Sequence, residues 1–214
     1  FCCRSSKLSN LKDCFFEGFR FLKPFLLPMN VEKVIAILQI HVPSAAVPYC
    51  VELWNKNPFD FRLRKDRVTK IGDFTYRRGQ VPRITINKNL HSYLFLITYI
   101  HEVAHLMVHQ TRSCSAHGPE WKNMFQQLLQ PLLFEQFFPV ELLKELRRHM
   151  IDPMATTFSD PILSKVLRTY EHSATTKTLL SDIPEGSVFE IRGRWFKKGI
   201  KRRTRVLCQE LHSR

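Results

Sequence analysis

The chain has 214 residues, 44% of them hydrophobic, and its 33 Lys and Arg against 19 Asp and Glu give a formal charge of +14. This is enough for one substantial domain with a small appendage, and too apolar for a disordered chain. The charge favours a polyanionic partner such as nucleic acid, and the lack of any run of eighteen apolar residues argues against a membrane-spanning helix or a membrane partner.

Residues 1–28 hold six of the 17 Phe and three of the six Cys, with no clear period. They are read as a poorly ordered extension, with Met29 as a candidate true start. Asp13, Glu17 and the Lys23-Pro24 break argue against a signal peptide. Val31 to Leu38 has helical spacing, Pro43 interrupts, and Ala45 to Trp54 continues as a second helical piece. After the Asn55–Pro58 turn, Phe59 to Val68, Ile71 to Tyr76 and Pro82 to Asn87 read as strands. A small antiparallel sheet is therefore expected. Residues 61–88 carry nine Lys and Arg against Asp66 and Asp73.

The stretch Tyr93–Ile100 is almost wholly apolar, the mark of a helix buried on all sides. It runs into His101-Glu102-Val103-Ala104-His105. On a helix, His101 and His105 project from one face a turn apart, which suits two ligands of a tetrahedral zinc. Glu102 sits one position round the helix, where it would take a proton from the attacking water and return it to a leaving amine. Ionisable groups at the end of a buried helix are costly unless something compensates them, and a metal would. The implied chemistry is metal-assisted amide hydrolysis.

A catalytic zinc takes a third protein ligand and keeps one open position. A pattern with Gly at 108 and His at 111 is excluded by Val108 and Thr111. His109 continues the helix face but lies two turns from His101. His117 is preferred, with Cys114 and Glu120 as alternatives. It precedes Gly118-Pro119-Glu120, a helix start with Pro and an acid in the first turn. Trp121, Met124, Phe125, Leu128 and Leu129 follow with helical period, so a second amphipathic helix would hold His117 against the first. Tyr93, Tyr99 and Arg112 are near in sequence, but no oxyanion stabiliser can be named. His149 and His172 have no supporting pattern.

Pro131 ends that helix, Phe138-Pro139-Val140 opens a third, Met154 to Phe158 reads as loop, and Pro161 to Tyr170 as a further helix. Residues 172–182 form a polar connector, and 183–214 a basic β-tail. In that tail Ser187–Ile191 alternates, Gly193 turns the chain, and Trp195-Phe196 and Thr204–Cys208 read as strands around a Lys197-Lys198-Gly199 turn. Residues 192–205 carry eight basic residues and no acid. Arg192, Arg194, Lys197, Lys198, Lys201, Arg202, Arg203 and Arg205 are candidate nucleic-acid contacts. No two cysteines form a CxxC pair, so a reducing cytoplasm is expected.

The runs His101–His105 and His117-Gly118-Pro119-Glu120-Trp121 resemble the SprT-like metalloprotease family, which includes the Spartan proteases that degrade DNA-crosslinked proteins. The resemblance extends over roughly residues 30–210. The segments Arg67–Phe74, Ile84–Asn87 and Phe95–Thr98, and the tail with Gly193–Phe196 and Lys201–Arg205, are similar to the bacterial subgroup. The resemblance implies an α+β fold with a zincin-like helical core over residues 29–171, zinc at His101, His105 and His117, and catalysis by Glu102. It also implies action on DNA-associated or DNA-crosslinked protein. Many such proteins end in a zinc ribbon, which the lone C-terminal Cys208 cannot form. Two other readings compete: a nucleic-acid-binding protein with a structural or vestigial zinc, and a metal-dependent hydrolase of non-peptide amides or esters.

Overall fold

The computed structural model describes residues 30–65, 67, 70–111, 115–171, 180, 182–202 and 205–211. The extension 1–28, the alternative ligand Cys114, the candidate Arg112, His172, most of the connector and Arg203 lie outside these residues. The chain divides into two compact units, one ending at Tyr170 and one beginning at Glu171.

The first unit is α+β. Helix α1 spans Val31–His41, with the Asn30 side chain accepting a hydrogen bond from the Glu32 amide as its N-cap. Pro43 ends the helical run, a 3-10 turn follows at Ser44–Ala46, and Pro48 opens α2, Val47–Lys56. Strands β1 (Asp60–Arg64), β2 (Gly72–Thr75) and β3 (Arg83–Asn87) form one sheet in the order β1-β3-β2.

The expectation of an antiparallel sheet needs correction: β2 pairs antiparallel with β3, but β1 pairs parallel with it, Phe61 opposite Ile84 and Leu63 opposite Ile86. The cause is burial. Ile84, Thr85, Ile86 and Asn87 are all buried, so β3 takes the centre and β2 the edge. Two reversals of the chain then bring β3 back in the direction of β1.

Helix α3, Ser92–Thr111, runs through the middle of this unit. Leu94, Phe95, Leu96, Ile97, Tyr99, Ile100, Val103, Ala104 and Leu106 are all buried, so it touches protein on nearly every side. Phe59, Phe61, Phe95 and Tyr99 interlock between the sheet and α3, three pairs edge to face and Phe59–Tyr99 tilted, with ring centroids 5.5–6.3 Å apart. Helix α4, Pro119–Leu129, packs on α3 through Trp121, Phe125, Leu128 and Leu129. Helices α5 (Val140–His149) and α6 (Pro161–Arg168) complete the unit.

His149, unremarkable in sequence, is buried and bonds Asp160 at 3.1 Å. Asp160 also caps α6, accepting from the Ile162 and Leu163 amides, and takes two contacts from Arg148 at 2.7 and 2.8 Å. One carboxylate thereby joins the end of α5 to the start of α6.

The second unit is a three-stranded antiparallel sheet, β4 (Val188–Ile191), β5 (Arg194–Arg202) and β6 (Arg205–Leu211). Arg192 and Gly193 both adopt left-handed backbone conformations in the two-residue β4–β5 turn. The expected turn at Lys197-Lys198-Gly199 is not one, because β5 runs straight through it. The pairing with β6 slips between Lys198 and Lys201, and a Cβ on Gly199 would lie 3.0 Å from the Leu207 carbonyl oxygen. This glycine marks a bulge with close backbone approach. Among the described residues no helix is long and apolar enough to cross a membrane.

Candidate metal centre

The regular pitch of α3 brings His101 and His105 to one face, and the short segment before α4 returns His117 to meet them. Their Nε2 atoms form a triangle with edges of 3.2 Å (His101–His105), 3.0 Å (His105–His117) and 3.3 Å (His101–His117). Three nitrogens at about 2.05 Å from a tetrahedral zinc would be about 3.3 Å apart. Three neutral imidazoles aimed at one point set lone pair against lone pair, an arrangement that a cation relieves. Among the described residues no other group of three metal-binding side chains comes this close.

The electrostatics favour the same use. Burial, followed by the presence of the other imidazoles, lowers His101 to about 3 and His105 to about 4, and burial also lowers His117. All three are therefore neutral near pH 7, the protonation state that binds a metal.

His117 adopts a φ of 63°, in the left-handed region that a residue with a side chain seldom occupies. Its successor Gly118 opens α4, where the Lys122 backbone amide donates to the Gly118 carbonyl at 3.0 Å. Trp121 backs the whole triangle. Its ring centroid lies 4.6 Å from His101, 5.3 Å from His105 and 4.7 Å from His117, and the residue is 1% exposed. The sequence shows Trp121 as an apolar position of α4 and as the end of the run that carries the resemblance; nothing in it marks the contact with all three imidazoles.

Glu102 is 5% exposed. Burial, reinforced by Asp73, pushes its carboxyl up to about 8, while Arg67, the Phe74 amide and Lys70 pull it back. Strand β2 shapes this position. The Phe74 backbone N–H donates to the Glu102 carboxylate, and Gly72 leaves the room the carboxylate fills. A Cβ on Gly72 would press on Glu102 Oε1 and would lie 2.6 Å from Thr98 Cγ2. Both were missed in sequence, although a glycine opening a strand is a signal of close approach.

The other candidates are placed elsewhere. His109 is exposed and packs against Tyr76 and Phe74, with centroids 4.5 and 5.6 Å away. Glu120 is exposed in the first turn of α4. Tyr99 is fully buried, its hydroxyl donating to the Cys50 carbonyl, and Tyr93 packs on Phe138 and Tyr170.

The model of the SprT-like family matches residues 50–140. This chain carries a SprT-like domain. The match runs from within α2 to the first residue of α5, and so takes in the sheet, the three histidines, Glu102 and Trp121. No curated protein and no solved structure matches the chain. The SprT-like domain is thus of metalloprotease type, with a three-histidine cluster able to hold a metal ion.

In the second unit Arg192, Lys197, Lys201, Arg202 and Arg205 are exposed. Arg194 is exposed too, but it forms a two-pronged pair with Glu210, with Nε 2.6 Å from Oε1, and lies over the Phe196 ring. Lys198 does not belong with the surface cations. It is 8% exposed and donates to the Ile183 carbonyl, because the alternation of β5 turns it to the covered face.

Proposed function

We propose that this protein is a zinc-dependent endopeptidase acting on DNA-associated or DNA-crosslinked proteins, in a reducing cytoplasm. The observation that carries the reading is the convergence of three imidazole Nε2 atoms within 3.0–3.3 Å of one another, two of them on a helix that also bears a buried glutamate. His101, His105 and His117 would hold the ion. When bound, zinc supplies Lewis acidity for the scissile carbonyl and lowers the pKa of a water. Glu102 accepts a proton from the attacking water and returns it to the leaving amine. A cation among the imidazoles also favours the ionised carboxylate that this role requires. The β2 contacts hold that carboxylate in place, and Trp121 keeps water from the back of the imidazoles.

The nucleic-acid part rests on charge. Arg192, Lys197, Lys201, Arg202 and Arg205 lie exposed on the second unit, and Trp195, on the same strand as Lys197, Lys201 and Arg202, is 46% exposed and offers an aromatic face. Such a surface would recruit substrate through phosphates, an attraction that weakens as salt rises.

The test is incubation of zinc-loaded protein with a DNA-binding protein substrate, with and without DNA, beside Glu102→Gln. Cleavage that needs zinc, is stimulated by DNA and falls at least about 100-fold in Glu102→Gln is expected. No cleavage under any condition refutes the peptidase, and cleavage indifferent to DNA refutes the recruiting surface.

A further inference from the structure

We propose that the groove beside His117 is a side-chain subsite for the peptide substrate, and that the Lys122–Asp152 ion pair on its rim keeps it neutral between acidic and basic residues. The inference rests on the peptidase reading. The groove has a volume of about 630 Å³, with walls formed by His117, Lys122, Asn123, Gln126, Ile151 and Asp152. Lys122, Asn123 and Gln126 recur at helical spacing on the face of α4 turned away from its buried Trp121 and Phe125. The opposite wall is the loop that follows α5. Gln126 ties the two walls together, its amide donating to the carbonyls of Met150 at 2.7 Å and Ile151 at 3.2 Å.

His117 belongs to both the groove and the imidazole triangle, so the groove starts where the chemistry would occur. An extended chain advances about 3.3 Å per residue, so a carbonyl at the triangle sets a side chain one or two residues away over the groove. Asp152 and Lys122 meet at 2.5 Å, with their side chains 79% and 33% exposed. A pair so open to water is weakly held, and either partner can turn to a substrate charge. A second cavity, between α1 and α2 and lined by Ile35, Val47 and Val51, contains none of the three histidines.

The test uses zinc-loaded full chain in the Glu102→Gln background, which is expected to bind without turnover. Fluorescence anisotropy gives dissociation constants for two neutral-backbone peptides, one with Asp and one with Lys at every other position. The readout is the acidic-to-basic affinity ratio relative to the same background. Removing Asp152 (Asp152→Ala) should move the ratio about threefold to fivefold toward acidic peptide, and Lys122→Ala by as much toward basic. The exchange Lys122→Asp with Asp152→Lys should restore it.

Lys144→Ala, an exposed lysine on α5, controls for net charge. An equal shift in that variant, or unchanged ratios throughout, overturns the proposal. A second readout comes from the same substitutions with Glu102 intact. Mass spectrometry of cleavage sites should show the altered preference at a single position relative to the cut bond, and a change spread over all positions also counts against it. Charge-dependent binding with no cleavage by the parent would remove the peptidase reading while leaving the groove as a peptide-binding surface.

Discussion

Adding one methyl group at Gly72 should disable Glu102 without touching a metal ligand. In Gly72→Ala the new Cβ would press on Glu102 Oε1 and sit 2.6 Å from Thr98 Cγ2. The Thr98 side chain is committed to the Leu94 carbonyl at 2.7 Å and is buried, so it has little room to yield. Glu102 must therefore move, and it loses the hydrogen bond from the Phe74 amide. Overpacking of this kind costs about 1–3 kcal/mol, and a hydrogen bond to a charged group is worth about 1.5–3 kcal/mol. The two overlap, since the displacement breaks the bond, and a net destabilisation of about 2 kcal/mol is expected. For a domain of this size that lowers Tm by about 4–8 °C. A misplacement of about 1 Å in a reacting group costs about 100-fold in rate. The assay compares parent, Gly72→Ala and Glu102→Gln for zinc content, melting temperature and cleavage rate. Full zinc occupancy with activity reduced about 100-fold is the expected result. Activity within twofold of the parent at an unchanged Tm would refute the view that β2 positions the glutamate.

Three further outcomes are expected. His117→Ala should lose zinc on dialysis under conditions where the parent retains it; full occupancy in that variant would reassign the third ligand. Trp121→Ala should destabilise by about 3–5 kcal/mol through the cavity it leaves, read by urea unfolding, and should loosen zinc as well; Trp121→Phe should do much less, and equal losses would contradict the packing role. The Asp160 carboxyl is raised by burial but lowered more by Arg148, the Leu163 amide and His149, so its folded pKa lies below the ordinary value. Its stabilisation is complete above the unfolded value of about 3.9 and is lost as pH falls through the folded pKa. Asp160→Asn should cost about 1–3 kcal/mol at pH 7 and flatten the stability profile below about pH 4; an unchanged acid limb would refute this.

What could be read from the sequence was local. The pair at 101 and 105 needs only the pitch of a helix, and α4 announces itself through Pro119 and a run of apolar positions. His117 was reachable because it lies just outside that helix start. The direction of β1 was not, since parallel pairing with β3 depends on β2 being placed outside both, a choice made by burial. Gly72 meets a carboxylate thirty positions later in the chain, and no periodicity records such a meeting. The partnership of His149 with Asp160 spans two helices. Lys198 looked like its basic neighbours until the pleat of β5 turned it to the covered face.

The donors of the triangle are carried on unequal supports. Two ride a twenty-residue rod packed on nearly every side, whereas the third hangs from a residue whose φ of 63° costs roughly 1 kcal/mol to hold. The pitch of the rod fixes the first two relative to each other, so the geometry of the trio turns on that one dihedral.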